Sequence, residues 1–327
     1  MSVFRRLAGL HRPLTLFSGA MMVLAVVSAA GLAVDDRVLV GAPIWAKPLK
    51  FTLSLTAYCL SLAWMLSLLP RFRRAGWWAG TVVAAAGAVE MAVITGQVIR
   101  GRRSHFNVGT AFDAGLYEIM AVTIVILWTA TLTLAVLLFR TRLVDRASTW
   151  AIRLGTALAL AGTGLGFLMT QPTPEQKPDS TTVGAHSVGV PDGRPGMPLT
   201  GWSTTGGDLR IPHFVGMHAL QLLPLLVLVL VTLAPRFRRL HDERVRTRLV
   251  LVASAAYAAV LALLTWQALR GQPLVHPDGA TLIAAALILA LTAAATWVAL
   301  RRSTPAPAAG TTPSPAPAPS AHPEHAA

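Results

Sequence analysis

The chain is short of charge. Only 13% of its 327 residues are Asp, Glu, Lys or Arg, against about 25% in soluble globular chains. It has one cysteine, Cys59, which excludes an intramolecular disulfide and any Cys-based zinc or iron–sulfur centre. Cys59 lies in an apolar run and reads as a small core hydrophobe. Familiar site motifs are missing as well. There is no Cys-x-x-Cys-His, no His-Glu-x-x-His, no Gly-x-Ser-x-Gly and no Gly-rich phosphate loop, so none of these signatures names the chemistry.

What the chain has in quantity is hydrocarbon. Hydrophobic residues make up 54% of it, and several apolar runs reach the ~18 residues that cross a bilayer. The pattern predicts an all-α integral membrane protein with eight spans, at 14–34, 44–69, 77–99, 113–139, 150–170, 211–234, 249–269 and 280–300. Arg5 and Arg6 before the first run give it some likeness to a signal peptide. It is long enough to span and many spans follow, so it reads as an uncleaved first helix.

The formal net charge is +14, and its distribution sets an orientation. With the N-terminus in the cytoplasm, the inner segments hold 18 of the 28 basic residues and 4 of the 14 acids. The outer segments are left balanced. The positive excess therefore lies on the inside, as cytoplasmic loops require, and no basic patch remains for a nucleic acid. Both termini are expected in the cytoplasm and the protein in the cell membrane. The Pro/Ala-rich residues 303–327 cannot bury a core and are expected to form a disordered cytoplasmic tail, a candidate docking segment for an unknown protein partner. Residues 171–210, rich in Pro, Gly, Thr and Asp, are too long for a connector and form either a disordered loop or a lid.

Two motifs recur. Leu69-Pro70-Arg71-Phe72-Arg73-Arg74 ends the second span, and Ala234-Pro235-Arg236-Phe237-Arg238-Arg239 ends the sixth. Thr95-Gly-Gln97-Val-Ile-Arg100-Gly101 ends the third, and Thr265-Trp-Gln267-Ala-Leu-Arg270-Gly271 ends the seventh. His105-Phe-Asn107 follows one copy and His276-Pro-Asp278 the other, with one residue inserted. The places match if residues 1–140 and 141–302 are two four-helix units. Each has an even number of spans, so the pseudo-twofold axis would run along the membrane normal, making these parallel repeats.

Against this apolar background the polar groups stand out. Glu90 lies mid-span, where an ionised carboxylate costs about 3 kcal/mol or more unless paired or protonated. Gln97, seven residues on, shares its helix face. Val260 takes the place of Glu90 in the second copy. Lys47 and Lys50 open the second span on the outer side, and Arg100, Arg102 and Arg103 lie on that side too. They read as snorkelling anchors or as an anion-binding group at a helix N-terminus. Asp113 reads as an N-terminal cap; Glu118 lies deeper.

The sixth span opens with Gly207 to Gln221, which holds Asp208, Arg210, His213, His218 and Gln221. Asp208 and Arg210 are expected to fix the loop to the helix. His213 and His218 are about 140° apart round one helix and cannot share a small metal ion; His218 with Gln221 is expected to face the site. A metal or haem would then draw on His105, His213, His218 and His276 from different helices, since neutral imidazole suits haem iron, zinc or copper. Two tandem four-helix units whose even helices begin with Lys47/Lys50, His105, His213/His218 and His276 are similar in outline to the haem A synthase family. That resemblance covers topology over the eight spans. It implies histidines of the even helices as haem ligands, although here the second span has none.

Four readings remain open. The first is a haem- or metal-binding redox protein. The second is a proton-coupled transporter or an anion- or lipid-binding protein, with Lys47, Lys50, Gln97, Arg100, Arg210 and Gln221 holding ligand and Glu90 handling protons. The third is a metal-free enzyme on a lipid or isoprenoid, using His218 with Glu118 or Glu90. The fourth is an accessory membrane subunit.

Overall fold

The computed structural model describes residues 10–141, 145–177 and 179–301; Arg5, Arg6, Arg142, Arg302 and the tail 303–327 lie outside the described residues. The described chain is mostly helical: α1 (Arg12–Val34), α2 (Ala46–Ser67), α3 (Arg73–Ile99), α4 (Ala111–Phe139), α5 (Arg146–Gly164), α6 (Gly166–Met169), α7 (Arg210–Met217), α8 (Ala219–Leu233), α9 (Glu243–Leu269) and α10 (Gly279–Arg301). Seven helices are long and apolar enough to cross a membrane, or eight if α7 and α8, bent by 42°, form one span.

Caps explain why several helices begin ahead of their apolar runs. Asp145 accepts from the Ser148 amide at the head of α5 and Asp242 from the Arg244 amide at α9. Thr110 does the same for Asp113 at α4. Each satisfies an amide with no helical partner, worth about 1 kcal/mol. His11 caps α1: its Nδ1 accepts from the Leu14 amide and its Nε2 donates to the Trp77 carbonyl at 2.7 Å.

The helices pack in one order twice. α1 lies on α2, α2 on α3, α3 on α4 and α1 on α3. In the second half α5 lies on α7 and α8, these on α9, α9 on α10 and α5 on α9. α4 against α5, and α2 against α8, join the halves. The crossing of α5 and α7 is close enough to need two glycines. A Cβ on Gly162 would stand 2.4 Å from the Gly216 Cα. One apolar cluster, from Leu14 to Leu220 and centred on Leu62, Ile94 and Leu134, fills the first half; a second, with Leu223, Val227 and Val250, fills the other.

At one end the connections are tied together by residues 171–209, which lie across them as a lid; position 178 is not described. Two short antiparallel pairs frame it, β1 (Val38–Leu39) with β2 (Ala42–Pro43), and β3 (Ser187–Val188) with β4 (Gly207–Asp208). The lid reaches both halves. Its Val183 amide donates to the Phe106 carbonyl and its Thr181 carbonyl accepts from Val108. Gly193 lies against Gly41, and Gly207 against the Ala268 carbonyl and Gly271. Phe106, Met169, Leu209 and Ala268 form a small apolar cluster where lid and helices meet.

Candidate functional site

Under the lid the first turns of α2 and α7 face the α3–α4 loop. Lys47 and Lys50 sit on the first turns of α2, one helical turn apart. Lys50 Nζ donates to the Thr200 carbonyl of the lid at 2.8 Å. Among the described residues Lys47 makes neither a hydrogen bond nor an ion pair; its Nζ stands 5.9 Å from the centre of the Phe51 ring. Arg210 opens α7. Its Nε and Nη2 donate to Asp208, which also accepts from the Ser203 amide at 2.8 Å, and Nη2 reaches the Gly201 carbonyl at 2.7 Å. Asp208 and Arg210 therefore do fasten lid to helix. The positive groups of Lys47, Lys50 and Arg210 lie near enough to repel one another.

Three histidines share this space, and each is held by Nδ1 alone. His105 Nδ1 meets Ser104 Oγ at 3.1 Å. His213 Nδ1 lies 2.9 Å from the Gly162 carbonyl and His186 Nδ1 2.8 Å from Asp192. A carbonyl and a carboxylate only accept, so His213 and His186 carry their proton on Nδ1 and leave Nε2 with its lone pair. The three rings interact with one another, and His105 and His186 interact with Lys47. Lys47 and the three rings are packed round with protein yet each keeps accessible surface. The four therefore lie at the underside of residues 171–209 with part of their surface still open.

His105 owes its place to a strained neighbour. Phe106 has φ +61°, a left-handed conformation that costs a non-glycine residue about 1–2 kcal/mol. Its buried ring, set edge-on to both His105 and His186, holds it there. Burial holds the His105 pKa well below the usual histidine value, and the charges of Lys47, His186 and His213 act in the same direction. Burial also lowers the pKa of His186; Asp192 opposes the shift, while Arg210 and Lys47 reinforce it. Burial works against the Asp192 charge, but hydrogen bonds from His186 and Ser187 hold its pKa below the usual carboxylate range.

The remaining predicted residues lie elsewhere. Glu90 is buried on α3, bonded by Thr123 Oγ1 at 2.7 Å, and Lys47 feels its charge. Gln97 and Arg100 are bound into the α3–α4 corner, where both donate to Asp113. His218 packs on Phe214 beside the Gln221 side chain. Glu118 and His276 are exposed. It is His213, rather than His218, whose ring joins His105 and His186. Among the described residues no three His, Cys, Asp or Glu side chains gather as they do round a metal ion.

No known family, curated protein or solved structure matches the chain. The site must be read from its own geometry. Two of its members, His186 and Asp192, were not singled out in the sequence. They sit six residues apart in a Gly/Pro-rich loop, and an isolated His and Asp in a loop of no period carry only a weak signal.

Proposed function

We propose that the protein is a multi-pass protein of the cell membrane that binds an anionic small molecule or lipid headgroup beneath its lid. The lid faces outward, and the arginine-rich end, with both termini, faces the cytoplasm. The bent pair α7 and α8 counts as one span of eight. Two observations support a duplicated four-helix unit. The halves pack in one order, and the Gln-x-x-Arg-Gly corners share a backbone: Arg102 and Gln272 donate to the Gln97 and Gln267 carbonyls, and Gly101 and Gly271 have φ +68° and +71°.

The observation that carries the binding reading is the positive charge gathered beneath the lid. Lys47, Lys50 and Arg210 lie there, Asp208 is taken by Arg210 and Asp192 by His186, and among the described residues no carboxylate forms an ion pair with Lys47, although Glu90 and Asp192 act on it from further off. A partly buried ammonium without an ion-pair partner is costly, and a carboxylate or phosphate oxygen relieves that cost. Positive charge lies beside the imidazoles, and among the described residues no three donors gather as they do round a metal ion, so the anion reading is the one these groups support.

Calorimetric titration of the detergent-solubilised protein with succinate, inorganic phosphate and dihexanoyl phosphatidic acid tests it and separates a free anion from a lipid headgroup. At least one is expected to bind, more weakly as salt rises. Lys47→Gln should weaken it about 10-fold or more, the worth of one charge-assisted hydrogen bond. Binding of none of the three, or binding indifferent to Lys47→Gln, overturns the proposal.

A further inference from the structure

We infer that the tip of the lid, Pro198 to Gly201, is a built-in stand-in for the anion: the Thr200 and Gly201 carbonyls occupy Lys50 and Arg210, and a ligand binds by displacing them. This rests on the anion-binding reading and adds its regulation, since tip and anion exclude one another.

Two cations from different halves meet at this one turn. Lys50 stands on α2 and Arg210 on α7. Lys50 Nζ donates to the Thr200 carbonyl at 2.8 Å, and Arg210 Nη2 donates to the next carbonyl, Gly201, at 2.7 Å. A Cβ on Gly201 would lie 3.9 Å from Lys50 Nζ. Among the described residues these are the only hydrogen bonds that tie residues 195–202 to a helix. The others stay within the lid: the Met197 amide donates to the Trp202 carbonyl, the Gly201 amide to Met197 and the Thr200 amide to Pro198. The Trp202 ring, edge-on to Phe214 at 5.8 Å, adds packing behind the tip.

That hold is exchangeable. Residues 195–206 contain no acid, so the tip offers the cations only carbonyl dipoles. A carboxylate or phosphate oxygen offers a full charge and makes the stronger bond to an ammonium or guanidinium. The tip is also strained. Leu199 has φ +66° and is 96% exposed. A side chain in the left-handed region is disfavoured. Phe106 has the same kind of backbone, but its buried ring holds it in place; the Leu199 side chain buries almost nothing that could do so. The turn is therefore kept by its own short hydrogen bonds and by the two cations. Strain of this kind lowers the cost of release.

Two exclusive states make a prediction about a residue that touches no ligand. Whatever steadies the tip must weaken anion binding, and whatever loosens it must strengthen binding. Leu199→Gly removes the strain and should weaken binding of succinate, inorganic phosphate or dihexanoyl phosphatidic acid, whichever binds, by about 3- to 10-fold, one left-handed residue's strain less the extra freedom of glycine. Leu199→Pro, confined to φ near −65°, cannot keep the turn and should tighten binding by a similar factor. Calorimetric titration of the full chain reads both.

Hydrogen exchange of the unaltered protein in lipid nanodiscs is the second measurement, and it stands if Leu199→Pro fails to fold. A saturating anion should speed exchange of the Met197, Thr200 and Gly201 amides by about 10-fold or more, because their turn is released. A lid that merely closes over its ligand would slow them. An anion that binds and leaves those amides unchanged or slower, or that binds Leu199→Gly as tightly as the unaltered chain or more tightly, overturns the stand-in and leaves anion binding standing. If succinate, phosphate and the phosphatidic acid all fail to bind, both proposals fall.

Discussion

The two Gln-x-x-Arg-Gly corners start from the same backbone and end in different surroundings. In the first, Gln97 donates to the Arg103 carbonyl; in the second, Gln267 donates to the Pro273 carbonyl, six residues on in each case. Arg100 pairs with Asp113 and Arg270 with Asp278. Yet Asp113 is 3% exposed and accepts from Gln97, Arg100 and Thr110, whereas Asp278 is 39% exposed. The histidine after the first corner is half-buried beneath the lid, and the one after the second is exposed. A helix end can thus be kept as a structural device while the residues just beyond it are released for other work. The lid makes the difference. It lies over Phe106 and hydrogen-bonds the first loop, whereas it meets the second corner through Val188, Gly189 and Gly207 against Ala268 and Gly271.

Removing the acid should break the comparison most visibly. Asp113→Ala leaves Gln97 and Arg100 without their shared acceptor and should cost about 3 kcal/mol or more. Asp278→Ala should shift the melting midpoint far less, because water replaces the exposed partner. Thermal unfolding of both variants in detergent decides it, and equal losses would show that the corners are energetically alike.

The histidines give a smaller, pH-dependent effect. The folded-state pKa values of His105 and His186 are lowered, so below the unfolded value of about 6.5 the unfolded chain binds more protons. Their contribution is therefore full above that pH and is lost as pH falls, by up to about 1.4 kcal/mol per pH unit for each proton. Melting curves from pH 8 to pH 5 should show the loss, and His105→Asn should flatten it. His276→Asn, on the solvent-facing side of the comparison, is the control. A slope unchanged by removing both His105 and His186 would place its source elsewhere.

The smallest effect should be the shared one. Gly101→Ala and Gly271→Ala each force an L-residue into the left-handed region with no close contact besides, at about 1–2 kcal/mol. Equal shifts in the two melting midpoints would sharpen the view that the corners share one backbone, and a difference beyond ~1 kcal/mol would end it.

The sequence by itself determined the helices. Hydrophobic runs long enough to cross a bilayer can be buried or put in lipid in few other ways, and Pro70 and Pro235 mark where two of them stop. The caps at Asp145 and Asp242 lie outside those runs, which is why α5 and α9 begin earlier than the apolar pattern suggests. The pairing of Asp208 with Arg210 was legible because the two are close in sequence. Only the tertiary structure decided which side chains meet beneath the lid. The expected angle between His213 and His218 assumed an unbroken helix, but the chain bends between Met217 and Ala219, and the close α5–α7 crossing brings the Gly162 carbonyl to His213. The lid has no period to read. Its conformation depends on hydrogen bonds to Phe106, Met169 and Lys50, far away in sequence. Such contacts carry little local signal, since the residues at their two ends are related only through the packing of the helices between them.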